Sequence, residues 1–216
     1  VYLPLYDGVK NIEIGIESSS FIIVPKRNLK KPIIFYGTSI TQGGCASRPG
    51  MAHTNIINRK LDRDIINFGF SGNGRMEEHI AKLISEFDAK IYVIECMPNM
   101  NFPESITKST IPLIDTIREK NPNTPIILID LFKPTFSVLN NKVLKWSKGM
   151  DNALNIEYKK MIDNGYNNLF YIESLKALGD DHEGTVDGVH FTDLGFIRYA
   201  DFLIENFKEL DLVKKD

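Results

Sequence analysis

The 216-residue chain has little cysteine, a single tryptophan and only four histidines, and it contains no long apolar run. Its two cysteines, Cys45 and Cys96, are too few for a disulfide framework and lack the spacing of a zinc site. No apolar stretch approaches the ~20 residues of a membrane-spanning helix. The formal net charge of -2 provides no general basic field for nucleic acid or an anionic membrane. We therefore expect neither a membrane span nor a nucleic-acid partner.

The composition is typical of a globular protein. With 43% hydrophobic and 25% charged residues, a chain of this length can bury a sizeable core as one domain. The sequence begins at Val1, without an initiator methionine or a basic-then-apolar leader, which is compatible with a trimmed fragment and a removed signal peptide. We expect a secreted or periplasmic location in preference to a cytoplasmic one, and the sequence indicates no oligomeric state.

Beyond residue 31, strand-like and helix-like patterns alternate about every thirty residues, which predicts βαβ units and a parallel sheet. The predicted strands are short apolar segments at residues 32–36, 64–69, 90–96, 125–131 and 168–172. The predicted helices lie at residues 52–61, 76–87, 103–120, 148–164 and 192–209. Thr192 is the predicted N-cap of the last helix. Residues 132–148 show no clear pattern, and we expect a loop there.

The first thirty residues have a different pattern. Apolar segments separated by turn signals predict strands at residues 1–6, 9–16 and 20–24, as in a small antiparallel meander. Three strands with one apolar face need a partner, so this piece either packs on the α/β domain or is the tail of a larger β-domain. We divide the chain into a β-rich segment at residues 1–30, interpreted as a remnant of a larger β-domain, and an α/β domain at residues 31–216.

A serine follows the first predicted strand of the α/β domain. That strand ends at Gly37, and Ser39 lies within the sequence GTSITQGG at residues 37–44. The carboxyl end of a strand lies at the edge where open α/β sheets bind ligands. Ser39 is therefore a candidate nucleophile, although a serine here equally fits a cap of the following turn or helix.

The next two strands end in candidate oxyanion donors. In the sequence NFGFSGNG at residues 67–74, glycines let backbone N–H groups approach an anion, although a tight turn alone explains them better. In the sequence ECMPNMN at residues 95–101, Asn99 or Asn101 offers uncharged N–H donors, although asparagine is also common in turns. The glycine spacing fits neither a dinucleotide fingerprint nor a P-loop, so we predict no nucleotide cofactor.

Asp187 precedes His190 by three residues, ahead of the last predicted helix. On a turn, the carboxylate can hold the Nδ1–H of the imidazole and leave Nε2 to take a proton from a hydroxyl. The alternatives are a helix-capping aspartate with an exposed histidine, or two metal ligands, for which no further spaced ligands exist. The other histidines have no partner at a spacing that would indicate a catalytic pair, as Asp187 does for His190. We therefore expect them on the surface: His53, His79 and His182.

The strand order relates these segments to each other. In the flavodoxin-like order 2-1-3-4-5 the first three strands are neighbours, so Ser39, Gly72 and Asn99 emerge at one edge of the sheet. The loop after strand five then has to return Asp187 and His190 to that edge. Together these residues predict an acyl-transfer site with a nucleophile, a base, an orienting carboxylate and oxyanion donors.

The same segments resemble the sequence blocks of the SGNH hydrolases, also called GDSL-type esterases or acylhydrolases, over nearly all of residues 31–209. Residues 37–43 are similar to the nucleophile block of that family, with threonine and isoleucine flanking the serine where Gly-Asp-Ser-Leu is the commonest form. Gly72 matches the glycine block, and residues 187–190 match the closing D-x-x-H block. Asn99 matches the asparagine block, although methionines replace the glycine and aspartate of the usual Gly-x-Asn-Asp.

The resemblance implies a three-layer α/β fold of the flavodoxin type, with a five-stranded parallel sheet flanked by helices. It implies Ser39 as the nucleophile, His190 as the base and Asp187 as the residue that orients the imidazole. The implied oxyanion hole consists of the backbone N–H groups of Ser39 and Gly72 and the side chain of Asn99. No metal or other cofactor is implied.

The resemblance also bears on domains and substrate. Residues 31–216 are the implied catalytic domain, and residues 4–8 and 43–51 are similar to a bacterial subgroup with a β-rich N-terminal domain. The implied activity is hydrolysis of short-chain acyl esters, preferably acetyl esters, of carbohydrates or similar alcohols. Arg48 is a candidate for substrate binding, with loop packing and surface charge as the alternative explanation.

Three other functions stay open on the sequence. The first is a lipid or phospholipid acylhydrolase, which differs in its acyl chain. The second is a non-enzymatic binding module on the same scaffold, because a fold alone does not give a function. The third is a thiol-based site at Cys45, for which no histidine is placed.

Overall fold

The computed structural model describes residues 1–24, 30–133, 135–138 and 140–213, and a parallel sheet of five strands forms its centre. The strands are β1 (Ile33–Gly37), β2 (Ile65–Gly69), β3 (Ile91–Glu95), β4 (Ile126–Ile129) and β5 (Leu169–Ile172). Their order is β2-β1-β3-β4-β5, which confirms the prediction. Every residue of β1, β3 and β4 is buried, because both faces of a parallel sheet are covered and its strands are continuous apolar runs.

Six α-helices in the described residues surround the sheet: α1 (Ser39–Gln42), α2 (His53–Leu61), α3 (Glu78–Ser85), α4 (Pro103–Lys120), α5 (Asn141–Asp163) and α6 (Asp193–Glu209). Helix α2 contacts α6, whereas α4 contacts both α3 and α5, so the long helices form two groups that flank the sheet. The Thr192 hydroxyl accepts the N–H of Gly195 at 3.0 Å and caps α6, as predicted. None of the helices in the described part of the chain is long and apolar enough to cross a membrane.

The prediction of a loop at residues 132–148 is wrong in its second half. Helix α5 already begins at Asn141, because the side chain of Asn140 accepts the N–H groups of Lys142 and Val143 at the helix start. The Trp146 indole N–H also donates to the carbonyl of Asn101 at 3.1 Å. A cap and a tertiary contact therefore start this helix where the apolar periodicity is weak.

The three strands predicted before residue 25 are also wrong, since the described residues 1–24 contain no strand. Apolar side chains in this segment are largely exposed, with Phe21 at 80%, Ile23 at 74% and Val24 at 84%. Residues 9–24 thus bury little apolar surface, and a small sheet without a packed apolar face is unstable. Residues 25–29 of the predicted N-terminal segment lie outside the described residues, and its interpretation as a remnant of a larger β-domain stays a prediction.

Candidate active site

Ser39 lies at the sharp turn from β1 into α1. The Thr38 hydroxyl accepts the N–H of Ile40 at 3.2 Å, and Thr41 Oγ1 accepts the N–H of Thr38 at 3.0 Å. Thr38 is therefore the N-cap, and the capping role that the sequence left open for Ser39 is filled by its neighbour. The turn requires glycine at position 37, where a Cβ would lie 2.0 Å from Thr41 Oγ1.

The Ser39 hydroxyl is in contact with an imidazole from the far end of the chain. Ser39 Oγ lies 2.9 Å from His190 Nε2, and His190 Nδ1 lies 2.7 Å from Asp187 Oδ2. The other carboxylate oxygen, Asp187 Oδ1, accepts the N–H groups of Val189 at 2.9 Å and His190 at 2.7 Å. Gly188 has φ +88°, a left-handed conformation that favours glycine and lets the turn close. The structure thus brings these three side chains together.

The surroundings of Asp187 favour its charged form. Burial raises the pKa of this carboxyl group, but the hydrogen bonds donated by the His190 ring and by the N–H groups of His190 and Val189 outweigh it. The net effect lowers the pKa of Asp187 to about 2. An ionised carboxylate at this position holds a proton on Nδ1, which leaves Nε2 free to accept the proton of the Ser39 hydroxyl.

The glycine loop, defined here as residues 70–74 after β2, borders the same turn. Gly72 has φ +70° and Gly74 has φ +58°, and a Cβ at Gly74 would lie 1.9 Å from the carbonyl oxygen of Gly37. Gly74 is thus the glycine that lets the loop approach β1, a role that the sequence did not single out. A Cβ at Gly72 would have nothing within 4 Å, so its backbone conformation, and not crowding, favours glycine there.

Asn99, and not Asn101, reaches the glycine loop. The Asn99 amide Nδ2 donates to the carbonyl of Asn73 and lies 3.3 Å from the carbonyl oxygen of Phe70. Asn101 is exposed, and its carbonyl accepts the indole N–H of Trp146. Asn99 and Gly72 are therefore neighbours at the edge of the sheet where Ser39 lies, as the strand order predicts.

Arg48 lies in the loop after the nucleophile turn, close to the start of α6. Its side chain is 68% exposed, and Nη1 lies 3.8 Å from Asp193 Oδ2 and 3.3 Å from Ser47 Oγ. The Ser47 N–H donates to Asp193 Oδ1 at 3.0 Å, which fastens this loop beside the segment that carries His190. Cys45, in the same loop, is exposed with φ +68°. In the described structure neither Arg48 nor Cys45 forms a side-chain hydrogen bond or an ion pair with the triad of Ser39, His190 and Asp187.

A second histidine is buried behind the nucleophile turn, and the prediction of a surface position for His53 is wrong. The ring is fully buried, its Nε2 lies 2.9 Å from Glu95 Oε1, and the Tyr199 hydroxyl donates to Glu95 Oε2 at 3.0 Å. His53 Nδ1 has no hydrogen-bond partner among the described residues. The residues His53, Ile56 and Ile57 share the buried face of α2, so helical spacing was a signal for this position. His79 and His182 are exposed, as predicted.

In the described part of the chain, no group of three or more His, Cys, Asp or Glu side chains is arranged to hold a metal ion. The polar groups at the site are instead a hydroxyl, an imidazole, a carboxylate, an amide and backbone N–H groups. This set can transfer an acyl group through a serine.

The sequence profile of the GDSL-like lipase/acylhydrolase family matches residues 30–208. The chain belongs to this family. The family match spans every residue of the candidate site. The comparison with curated proteins gave no match.

Solved structures share the fold of this member of the GDSL-like family. A protein from Bacteroides ovatus, provisionally described as a GDSL-like lipase, is 38% identical, with 99% of this chain and 63% of that chain aligned at a TM-score of 0.93. The salicylyl-acyltransferase SsfX3 from a tetracycline biosynthetic pathway is 18% identical over 85% of this chain and 56% of its own, with a TM-score of 0.75. A family two carbohydrate esterase from Clostridium thermocellum, in complex with cellohexaose, is 16% identical over 88% of this chain and 68% of its own, with a TM-score of 0.67. The chain thus spans less than two thirds of the length of the first two structures.

Proposed function

We propose that this member of the GDSL-like family is a serine esterase that forms an acyl-enzyme at Ser39. The observation that carries the proposal is the pair of contacts from Ser39 Oγ to His190 Nε2 at 2.9 Å and from His190 Nδ1 to Asp187 Oδ2 at 2.7 Å. A hydroxyl is a weak nucleophile unless a base takes its proton, and an imidazole held in one tautomer provides that base.

In the first half of the reaction, Ser39 Oγ attacks the ester carbonyl carbon and its proton moves to His190 Nε2. The carbonyl electron pair becomes an oxyanion, which accepts hydrogen bonds from the Ser39 N–H, the Gly72 N–H and one N–H of Asn99 Nδ2. That Asn99 N–H exchanges its hydrogen bond to a carbonyl of the glycine loop for one to the oxyanion. The Ser39 N–H is available because the first N–H groups of a helix have no acceptor within it. When the intermediate collapses, the bond to the alcohol oxygen breaks and His190 returns its proton to that oxygen.

In the second half, water takes the place of the serine hydroxyl. His190 accepts a proton from water, the resulting hydroxide attacks the acyl carbon, and the bond to Ser39 Oγ breaks. The proton then returns from His190 to Ser39 Oγ, and a carboxylic acid leaves. Asp187 stays ionised throughout and stabilises the imidazolium that forms in each half.

The proposed substrates are short-chain acyl esters, with acetyl esters of carbohydrates preferred. A carbohydrate esterase among the structures of this fold supports the carbohydrate part, whereas the acyltransferase of the same fold indicates that the acceptor can differ between relatives. Arg48 is proposed to contact the alcohol part, because its exposed side chain extends from the loop that is fastened beside His190. A lipid or phospholipid acylhydrolase is the alternative.

Hydrolysis of 4-nitrophenyl acetate by the wild type and by Ser39→Ala tests the proposal. We expect turnover by the wild type and none above background by Ser39→Ala, while Ser105→Ala on α4 serves as the matched serine control and keeps full activity. Equal rates for the wild type and Ser39→Ala would refute the role of Ser39.

Nitrophenyl esters with acyl chains from acetyl to palmitoyl test the acyl part separately. A preference for the long chains would favour a lipid acylhydrolase. If the wild type hydrolyses no ester and a fluorophosphonate does not react with it, the scaffold is a binding module.

A further inference from the structure

An N-terminal arm, defined here as residues 2–6, runs along the α/β domain to the nucleophile turn. At one end, the Arg59 guanidinium donates to the Tyr2 hydroxyl at 2.8 Å and lies 5.3 Å from the centre of the Tyr2 ring. At the other end, the Gln42 side chain donates to the carbonyl of Leu5 at 3.1 Å, and the Tyr6 hydroxyl lies 3.4 Å from the carbonyl oxygen of Ser39. The arm is therefore held at both ends and ends beside the site.

Two glycines of the GTSITQGG segment leave room for this arm. A Cβ at Gly43 would lie 2.6 Å from Leu5 Cδ1, and a Cβ at Gly44 would lie 2.8 Å from the Tyr6 hydroxyl oxygen. Gly43 also has φ +101°, which favours glycine by itself, but Gly44 has no left-handed conformation. The same Cβ at Gly44 would also lie 3.1 Å from the carbonyl oxygen of Ser39. The close approach of Tyr6 and of this carbonyl therefore explains why position 44 is a glycine.

The arm is also joined to the glycine loop through one side chain. Gln42 donates from Nε2 to the Leu5 carbonyl, and its Oε1 accepts the N–H of Ser71 at 3.0 Å. Ser71 directly precedes Gly72, one of the proposed oxyanion donors. Hydrogen bonds therefore connect the arm, the nucleophile turn and the glycine loop beside Ser39.

We propose that Tyr6 is a specificity-determining residue that forms the wall of the site on the side of the leaving alcohol. The inference rests on the proposed esterase function. The alcohol oxygen has to approach His190 Nε2 to receive its proton. The ring carbon Cδ2 is bonded directly to Nε2. A Cβ placed on Gly44 would lie 3.4 Å from His190 Cδ2 and 2.8 Å from the Tyr6 hydroxyl oxygen. Tyr6 and His190 thus both border Gly44, which lies at the end of the turn that carries Ser39.

The exposure and chemistry of Tyr6 indicate the kind of alcohol. Tyr6 is 53% exposed as a residue despite the contacts that hold the arm. A tyrosine presents a flat apolar face together with a hydroxyl that both donates and accepts hydrogen bonds. A cyclic polyol, as in a sugar, matches both properties, whereas methanol is too small to reach the ring.

Two acetyl esters that differ only in the alcohol test this inference. We expect Tyr6→Ala to lower kcat/KM for an acetylated methyl glycoside by about tenfold, the size of one aromatic contact, and to leave kcat/KM for methyl acetate unchanged. Tyr6→Phe keeps the ring and is expected to restore most of the preference for the glycoside ester. The matched control is Tyr2→Ala, which removes the other tyrosine of the arm and should leave the ratio between the two esters as in the wild type.

Two results would overturn the role of Tyr6: an equal loss for both esters in Tyr6→Ala, or the same change of the ratio in Tyr2→Ala, which would show that the arm only supports the fold. Thermal melting of each variant identifies a loss caused by unfolding, and Tyr6→Phe remains as the second variant in that case. If the wild type hydrolyses neither ester, the esterase proposal fails and this inference fails with it. Hydrolysis by the wild type with an unchanged ratio in Tyr6→Ala contradicts this inference alone.

Discussion

The hydrogen bonds of Asp187 give a prediction whose size follows from the structure. Asp187→Asn keeps an oxygen where Oδ1 accepts the N–H groups of Val189 and His190, so we expect the turn to fold as before. At the Oδ2 position, however, the amide presents N–H groups to His190 Nδ1, 2.7 Å away in the wild type. The imidazole then accepts at Nδ1 and carries its proton on Nε2, facing Ser39. In this tautomer it cannot take the proton of the hydroxyl.

The expected loss is large because the base is present but in the wrong tautomer. The equivalent change in serine proteases lowers kcat about 10⁴-fold, which corresponds to about 5.5 kcal/mol of transition-state stabilisation. We expect a loss of this order in kcat for 4-nitrophenyl acetate at pH 8, with KM and the melting temperature little changed. Asp180→Asn is the matched control, because Asp180 is an exposed aspartate of the same loop.

The pH dependence adds a second readout. Since the pKa of Asp187 is lowered to about 2, the carboxylate is ionised across the whole range in which the folded enzyme is assayed. Its interactions with His190 stabilise the fold above the pKa of an unfolded aspartate, about 4, and are lost only as the pH falls toward 2. Asp187 therefore does not titrate between pH 5 and 9, and its own ionisation adds no pH dependence to kcat in that range. If Asp187→Asn keeps more than about a tenth of the wild-type kcat, Asp187 does not set the tautomer of His190.

Three further predictions follow from named contacts. Asn99→Ala removes an oxyanion donor and is expected to lower kcat about 10²- to 10³-fold, whereas Asn101→Ala should match the wild type; the reverse order would contradict the assignment. Tyr199→Phe removes a buried donor to Glu95 and should lower the free energy of unfolding by about 2 kcal/mol in urea titrations, and no change would contradict this account of the buried cluster. Burial, aided by nearby carboxylates and opposed by a backbone N–H, raises the pKa of Asp151 to about 7, so stability should fall as the pH rises from about 4 to about 7. Asp151→Asn should remove this dependence and be more stable than the wild type at pH 8, and equal pH slopes for the two proteins would contradict it.

The sheet could be predicted from the sequence because its three central strands, β1, β3 and β4, are buried on both faces. Such strands are continuous apolar runs, and their alternation with helices leaves few possible topologies. The segment before residue 25 has a similar apolar pattern, but its apolar residues after Tyr6 are exposed in the described structure and the pattern did not become strands. The start of α5 depends on the Asn140 cap and on the contact of Trp146 with Asn101, which the periodicity of the sequence does not contain.

The candidate site could be predicted where topology alone brings residues together. Ser39, Gly72 and Asn99 follow neighbouring strands, so their convergence required only the strand order. The choice of Asn99 over Asn101 depends on where a 3-10 turn, Met97–Asn99, directs one amide, and the sequence could not decide it. Tyr6 is 33 positions from Ser39 in a segment without secondary structure, and no local pattern indicates that it reaches the site.

Covalent labelling with a fluorophosphonate tests the central claim most directly, because the reagent reacts with a serine hydroxyl that a neighbouring base activates. After incubation of the native protein, intact mass and peptide mapping would locate the adduct. We predict one label per chain, on Ser39, with no label in Ser39→Ala and slow labelling in His190→Ala. A label on another residue, or a native wild-type protein that takes up no label, would contradict the account.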